Sequence, residues 1–174
     1  MFIQLSDVFT SEGKQMDVVA ELEMTSFDNG RESFEILEKS PVSFTLINLE
    51  PGKVLVKGDL QLTLQAACDR CLTEVPIVLK LHGERVVLSP ERGTEDEEAD
   101  DLSFMEGYQL NVESYVHNEI IGNWPAKILC KSDCKGICPV CGQNRNVREC
   151  GCDSFVPDPR MAVIQDIFNA NKEV

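Results

Sequence analysis

The residues of this chain that are best suited to chemistry are its cysteines, which are concentrated in one short segment. Six of the eight cysteines lie within residues 130–152, in the sequence CKSDCKGICPVCGQNRNVRECGC. A C-x2-C pair, a glycine-bearing turn and a second close pair are the spacing with which a chain surrounds a tetrahedral zinc ion. The first predicted metal site consists of the thiolates of Cys138, Cys141, Cys150 and Cys152.

The remaining four cysteines form a second group that is less compact in the sequence. Cys68 and Cys71 make another C-x2-C pair, and Cys130 and Cys134 precede the first group. We predict that these four complete a second tetrahedral site, which would join two distant parts of the chain. Four-thiolate sites have no open coordination position for a substrate, so one or two structural Zn²⁺ ions are expected. An exchange of partners between the two groups is the alternative pairing.

The rest of the sequence argues against other common uses of cysteine. The first residues contain no basic segment followed by an apolar one, and no apolar run approaches about 18 residues, so a cytoplasmic, non-membrane protein is expected. Disulfides are rare in that compartment. A thioredoxin-like C-x2-C normally begins a helix after a strand, whereas Cys68 and Cys71 separate two strand-like patterns. A thiol-redox or metal-sensing protein is nevertheless the alternative function.

The chain contains no combination of residues that is typical of an enzyme. It has only two histidines, His82 and His117, and it has no P-loop, G-x-G-x-x-G or H-E-x-x-H motif. His117 is expected to be a solvated residue on the polar side of a helix. The protein is therefore predicted not to be an enzyme, and no catalytic residue is predicted.

The net charge of −14 limits the partners that this chain can bind. An acidic surface repels the phosphates of RNA. The exception is residues 127–153, which carry five basic and three acidic side chains, a net charge of +2. The predicted contacts with RNA or another partner are four cations of this segment, Lys131, Lys135, Arg145 and Arg148.

Hydrophobic alternation predicts the elements that position the cysteines. Apolar and polar residues alternate over residues 54–66 and again over 75–81, so the CDRCLTE turn should join two strands of an antiparallel hairpin. Residues 34–37 and 41–49 are rich in β-branched and aromatic side chains and predict further strands. A helix is expected to begin at Asn111, a residue type suited to the N-cap.

These patterns together predict an α+β protein with four consecutive parts. Residues 1–90 form an antiparallel β-sheet domain, and residues 91–105 form an acidic disordered loop. Residues 106–128 form a helix that covers the sheet. Residues 129–174 form a zinc-ribbon-like cysteine-rich module and a C-terminal helix, which begins at the Asp-Pro step of residues 158–159.

The motifs as a set resemble the YceD family, the large ribosomal RNA subunit accumulation proteins. The resemblance includes the hairpin motif CDRCL and the closing DPRMAVI, and its specific elements are CKGICPVCGQN and DPR. The resemblance extends over most of the chain from about Val54 onward. It implies a cytoplasmic, non-enzymatic ribosome-biogenesis factor that supports the accumulation or processing of 23S rRNA and the assembly of the large subunit.

The resemblance further implies that the partner is the precursor of the large ribosomal subunit. Contact with 23S rRNA would be either direct, through the four cations, or indirect, through a basic large-subunit ribosomal protein held against the acidic surface. The net charge of the chain favours the indirect route.

Overall fold

The computed structural model describes residues 1–92 and 103–152 of the chain. The chain divides into two compact units. The first contains Met1–Ala67 and Glu74–Ile128, and the second contains Cys68–Thr73 and Leu129–Val174. Most of the predicted acidic loop and all of the predicted C-terminal helix lie outside the described residues.

The first unit is built mostly from antiparallel strands. In chain order these strands are β1 (Phe2–Gln4), β2 (Gln15–Ala20), β3 (Ser26–Asp28), β4 (Ser33–Lys39), β5 (Val42–Glu50), β6 (Lys53–Ala67), β7 (Glu74–Leu88), β8 (Met105–Glu106) and β9 (Gln109–Asn111). Helix α1 (Ser6–Thr10) follows β1, and helix α2 (Val112–Gly122) follows β9. Strands β1, β9 and β8 form a small sheet in that order, and the other six form the main sheet.

Strand β6 is the centre of the main sheet. It pairs with β7 along its whole length, while its other edge is shared by β5 near its beginning and by β4 near its end. The predicted alternation is confirmed, because the apolar set Val54, Val56, Leu60, Leu62, Leu64 and Ala66 is buried. The hairpin and the two further strands are also confirmed, since β4 and β5 coincide with them to within a residue or two.

Two glycines of the hairpin make room for helix α2. Gly58 and Gly83 face each other across β6 and β7. A Cβ atom on Gly58 would lie 2.7 Å from the Tyr115 ring, and one on Gly83 would lie 2.6 Å from the carboxyl carbon of Glu119. Tyr115 is only 1% exposed and its ring contacts Phe44 edge-on, with 5.2 Å between centroids. The hairpin therefore has glycine in two strand interiors because the helix side chains approach its backbone closely.

Helix α2 begins directly after Asn111, the N-cap that the sequence predicts, but it is shorter than the range of residues 106–128 assigned to it. Residues 109–111 are not helical because they pair with β1 as strand β9. The Asn111 side chain accepts a hydrogen bond from the backbone N–H of Ser114 at 3.2 Å, which satisfies one of the amides left unpaired at a helix start. The helix ends at Gly122, and the backbone N–H of Asn123 bonds the carbonyl of Glu119. Its apolar buried residues Val112, Tyr115, Val116 and Ile120 belong to the main core cluster.

The polar side of helix α2 is less solvated than its sequence predicts. The expectation for His117 is wrong: the ring is half-buried, its Nε2 lies 2.9 Å from the Asp28 carbonyl oxygen, and its centroid is 5.1 Å from that of Phe27. Glu119 is buried and pairs with Arg85 of β7, with 2.9 Å between Oε1 and Nη2. Burial and the Glu119 carboxylate raise the pKa of Tyr115. A buried carboxylate is tolerated here because it has a cationic partner.

Candidate metal centres

The first group of four cysteines, which we call site 1, is built around a tight turn at Cys138. The N–H of Cys138 donates to the carbonyl of Gln143 at 2.8 Å, and the Cys138 carbonyl accepts from the N–H of Gly142 at 2.9 Å. Gly142 has a φ of 72°, a left-handed conformation that glycine adopts without strain. The four sulfurs of Cys138, Cys141, Cys150 and Cys152 lie within 4.8 Å of one another.

The second group, which we call site 2, repeats this turn at Cys68. The N–H of Cys68 donates to the carbonyl of Thr73 at 2.8 Å, and the Cys68 carbonyl accepts from the N–H of Leu72 at 2.9 Å. Leu72 has a φ of 59° and is the only non-glycine residue with a positive φ in the described part of the chain. Such a conformation costs a residue with a Cβ atom about 1–2 kcal/mol. The C-x2-C turn of site 2 therefore has the left-handed position of the site 1 turn at a residue type that does not favour it.

The sulfur positions of site 2 match the dimensions of a tetrahedral metal site. The Sγ atoms of Cys68 and Cys134 are 3.9 Å apart, and those of Cys71 and Cys130 are 3.5 Å apart. All four sulfurs lie within 4.8 Å of one another. Four sulfurs that each bind a zinc ion at about 2.3 Å lie about 3.8 Å from one another. The structure thus brings together the two sets of four that the sequence grouped, and the donor set of each fits a metal ion.

Hydrogen bonding divides the thiols of site 2 into two kinds. Burial raises the pKa of Cys68, but backbone hydrogen bonds, the largest of them with Arg70, outweigh burial and lower the pKa to about 6. The hydrogen bond with Thr73 lowers the pKa of Cys71. The hydrogen bond with the Cys71 side chain raises the pKa of Cys130 to about 12. Some sulfurs of the group therefore favour the thiolate while Cys130 keeps its proton.

Site 1 shows the same division. Backbone hydrogen bonds, first with Cys141 and then with Val140, lower the pKa of Cys138 to about 6. The hydrogen bond with the Cys141 side chain raises the pKa of Cys152 to about 12. Four neighbouring thiolates repel one another, so they do not all ionise unless a cation lies among them. A divalent ion such as Zn²⁺ would supply that charge to either site.

The two sites differ in how far they are enclosed. Cys68, Cys71 and Cys134 of site 2 are buried, and together they form a buried cluster among the described residues of the second unit. In site 1 only Cys138 is buried, and Cys141 is exposed. Reagents in solution therefore have easier access to site 1.

The four cations predicted as contacts are not equivalent in the structure. Lys135 Nζ lies 3.0 Å from Glu149 Oε1, and Lys131 Nζ lies 3.9 Å from Asp133 Oδ2. Arg145 and Arg148 are exposed, and neither has a carboxylate within 4.0 Å among residues 1–92 and 103–152. The two lysines are therefore paired with carboxylates, whereas the two arginines are not paired with any carboxylate in the described range.

Sequence reasoning missed two asparagines that hold the segment between the two arginines. Asn146 Nδ2 donates to Cys134 Sγ at 3.2 Å, and Asn146 Oδ1 accepts from the backbone N–H of Lys135 at 2.9 Å. Asn144 Oδ1 accepts from the backbone N–H of Asn146 at 2.9 Å. Asparagine commonly bonds backbone groups in turns, so the QNRN run directly after a C-x2-C-G motif was the signal that could have identified them.

The fold and the sites define a class of protein: a mostly antiparallel β unit with few helices, joined in one chain to a unit that carries two four-cysteine groups at metal-binding distance. None of the helices in the described ranges is long and apolar enough to span a membrane.

The chain belongs to the YceD family. The family's sequence model, described as large ribosomal RNA subunit accumulation protein YceD, matches residues 56–168, which is more than half of the chain. This membership supports a role in the accumulation of large-subunit ribosomal RNA, as the resemblance implied. A comparison with curated proteins and a comparison with solved structures each gave no match.

Proposed function

We propose that this protein is a non-enzymatic assembly factor that acts in the cytoplasm on the precursor of the large ribosomal subunit and supports the accumulation of its 23S rRNA. The observation that carries this proposal is the family match over residues 56–168, a range that contains all eight cysteines and both C-x2-C turns. The family description names a ribosomal RNA and no reaction.

Within this role the two cysteine groups hold structural zinc. Among the described residues of the second unit the buried cluster consists of cysteines, so apolar burial contributes little to the stability of this part. Structural zinc contributes on the order of 10 kcal/mol to the folding of small cysteine-rich modules. Because all four ligands of each site come from the chain, no coordination position is left for a substrate. Zinc would thus stabilise the conformation that this unit presents to a partner.

The alternative function, thiol-redox chemistry, has weaker support. A reactive thiolate must be reached by its oxidant. Cys68 has a lowered pKa, but its exposure is 0%. The turn at Cys68 also has the same backbone hydrogen bonds as the turn at Cys138, and each turn belongs to a group of four sulfurs. This similarity favours a ligand role for both cysteines.

The net charge of the chain bears on how it reaches the precursor particle. At −14 the chain is suited to a basic large-subunit ribosomal protein, because complementary charge speeds and orients association. Binding of this kind weakens as salt is added, since exposed charge pairs are screened beyond about 8 Å at physiological ionic strength.

Sedimentation of the tagged protein through a sucrose gradient at low salt tests the function. We expect the protein to migrate with precursors of the large subunit, and we expect its depletion to lower the ratio of 23S to 16S rRNA. A protein that stays at the top of the gradient, together with an unchanged rRNA ratio after depletion, would refute the proposal.

A further inference from the structure

The segment of residues 144–148 forms a hydrogen-bonded turn that presents two arginines. The carbonyl of Asn144 accepts from the N–H groups of Val147 at 3.1 Å and Arg148 at 3.2 Å. The Asn144 side chain also accepts from the N–H of Asn146. Arg145 and Arg148 are exposed, and Val147 between them is 80% exposed. The backbone of this turn is thus held in place while the side chains of Arg145, Val147 and Arg148 are exposed.

The turn is anchored to site 2. The N–H of Arg145 donates to the carbonyl of Gly136 at 2.9 Å, and Asn146 donates to the sulfur of Cys134. The Asn146 carboxamide therefore links the arginine turn to one of the candidate metal ligands.

The charges around the turn favour an anionic partner. Lys131 and Lys135 have carboxylates beside them. The hydrogen bond that Lys135 donates lowers the pKa of Glu149, and the charge of Arg145 contributes less to that shift. The two arginines have no carboxylate within 4.0 Å among the residues that the structure describes. A guanidinium group matches the geometry of a phosphate, to which it can donate two parallel hydrogen bonds.

We infer that the turn of residues 144–148 is an RNA-binding site in which Arg145 and Arg148 contact backbone phosphates and Asn146 positions them. The inference rests on the proposed function, because ribosomal RNA is the polyanion named by the family. The sequence predicts that all four cations contact the partner, whereas this inference assigns the contact to Arg145 and Arg148 alone. Such a contact needs only the segment of residues 127–153, whose net charge is +2 although the whole chain carries −14.

Filter binding of in vitro transcribed 23S rRNA between about 50 and 200 mM KCl tests this inference. The test variant is Arg145→Gln with Arg148→Gln, and the matched control is Lys131→Gln with Lys135→Gln, which changes the net charge equally. We expect the arginine variant to bind on the order of tenfold more weakly for each arginine removed. The slope of log K against log salt should fall by about 1.4, since each contact with a single strand contributes about 0.7.

The lysine control should have the same slope of log K against log salt as the wild type and an affinity within about threefold of it. The reason is that the lysines it removes are already paired with carboxylates. Equal losses in the two variants would show general electrostatic attraction and overturn the inference, as would no loss in either. The arginine variant could also bind the transcript as the wild type does and yet fail to sediment with precursor particles. That result would mean that the turn binds a protein, and it would overturn the inference. Wild-type protein that sediments with precursors but does not bind the transcript would overturn only this inference, whereas transcript binding without sedimentation would count against the proposed function alone.

Asn146→Ala tests the positioning role because it keeps the net charge. We expect weaker transcript binding with an unchanged zinc content. If affinity falls only in proportion to lost zinc, Asn146 acts through the integrity of site 2, and the positioning role is refuted.

Discussion

Leu72 and Gly142 occupy the same position in two turns with the same backbone hydrogen bonds, each four residues after a cysteine. Their φ angles are 59° and 72°. In each turn this residue donates to the carbonyl of the cysteine at 2.9 Å. The two C-x2-C turns therefore have the same backbone hydrogen bonds and the same left-handed position, although the hairpin turn has leucine where the other has glycine. This equivalence is the main structural reason for assigning the same role to both C-x2-C pairs.

We expect Leu72→Gly to stabilise site 2 because it relieves the strain of a left-handed non-glycine residue. The gain should be about 1 kcal/mol or less, since glycine also increases the entropy of the unfolded chain. Slower loss of zinc to a chelator, together with greater hydrogen-exchange protection of residues 68–73, would show it.

Val140→Gly is the matched control, because Val140 is an exposed aliphatic residue of the other turn with an ordinary φ. This control should destabilise site 1 by about 0.5–1 kcal/mol. If both variants lose zinc faster, the strain at Leu72 has no energetic consequence.

Metal analysis should find two zinc ions per chain. Cys138→Ser should remove one ion and increase hydrogen exchange over residues 129–152, while the hairpin of β6 and β7 stays protected because apolar burial stabilises it. Cys68→Ser should remove the other ion. The prediction fails if the wild type contains eight freely titrating thiols and no metal. Loss of both ions from either variant would show that the sites fold as one cooperative unit.

The protons released on zinc binding should number fewer than four for each ion. At about pH 7.5 Cys68 and Cys138 are already thiolates, because their pKa of about 6 lies below that pH. Cys130 and Cys152, whose pKa values are raised to about 12, still carry protons and must lose them. Calorimetric titration of metal-free protein in two buffers of different ionisation enthalpy measures the number.

The same pKa shifts predict how stability depends on pH in the metal-free protein. A lowered pKa in the folded state contributes stability that is present above the pKa of the unfolded thiol and is lost as the pH falls toward about 6. The metal-free second unit should therefore be more ordered near pH 9 than near pH 6. Release of four protons per ion, or the opposite trend with pH, would mean that the sulfur groups are not organised before metal binds.

Gly58→Ala and Gly83→Ala should each destabilise the first unit by about 1–3 kcal/mol, because the added methyl group displaces buried Tyr115 or Glu119. Urea unfolding followed by tyrosine and tryptophan fluorescence gives the values. Gly122→Ala is the control, since no described atom outside its chain neighbours and its own helix backbone lies within 4 Å of a Cβ atom placed there. Gly122→Ala should stabilise the first unit by about 1 kcal/mol or less. A similar loss in all three variants would contradict the close approach of the helix.

Much of this protein is determined by patterns that are local in the sequence. The alternation over residues 54–66 predicted β6, because the side chains of a strand point alternately to opposite faces. Asn111 predicted the start of α2, because a cap bond joins residues three apart. The compact spacing of Cys138, Cys141, Cys150 and Cys152 likewise predicted the grouping of their sulfurs, since residues so close in the sequence cannot lie far apart.

Other features depend on contacts between residues that are distant in the sequence. The glycines of the hairpin and Tyr115 are brought together only when α2 meets the hairpin, so neither strand pattern indicates why the glycines are needed. Likewise Lys135 is neutralised by Glu149, fourteen residues away, and nothing in the net charge of the segment distinguishes that lysine from Arg145. Asn146 reaches Cys134 in the same way. Only the tertiary structure decided which charges are paired and which sulfur is hydrogen-bonded, because these depend on distances of a few ångströms that sequence separation does not encode.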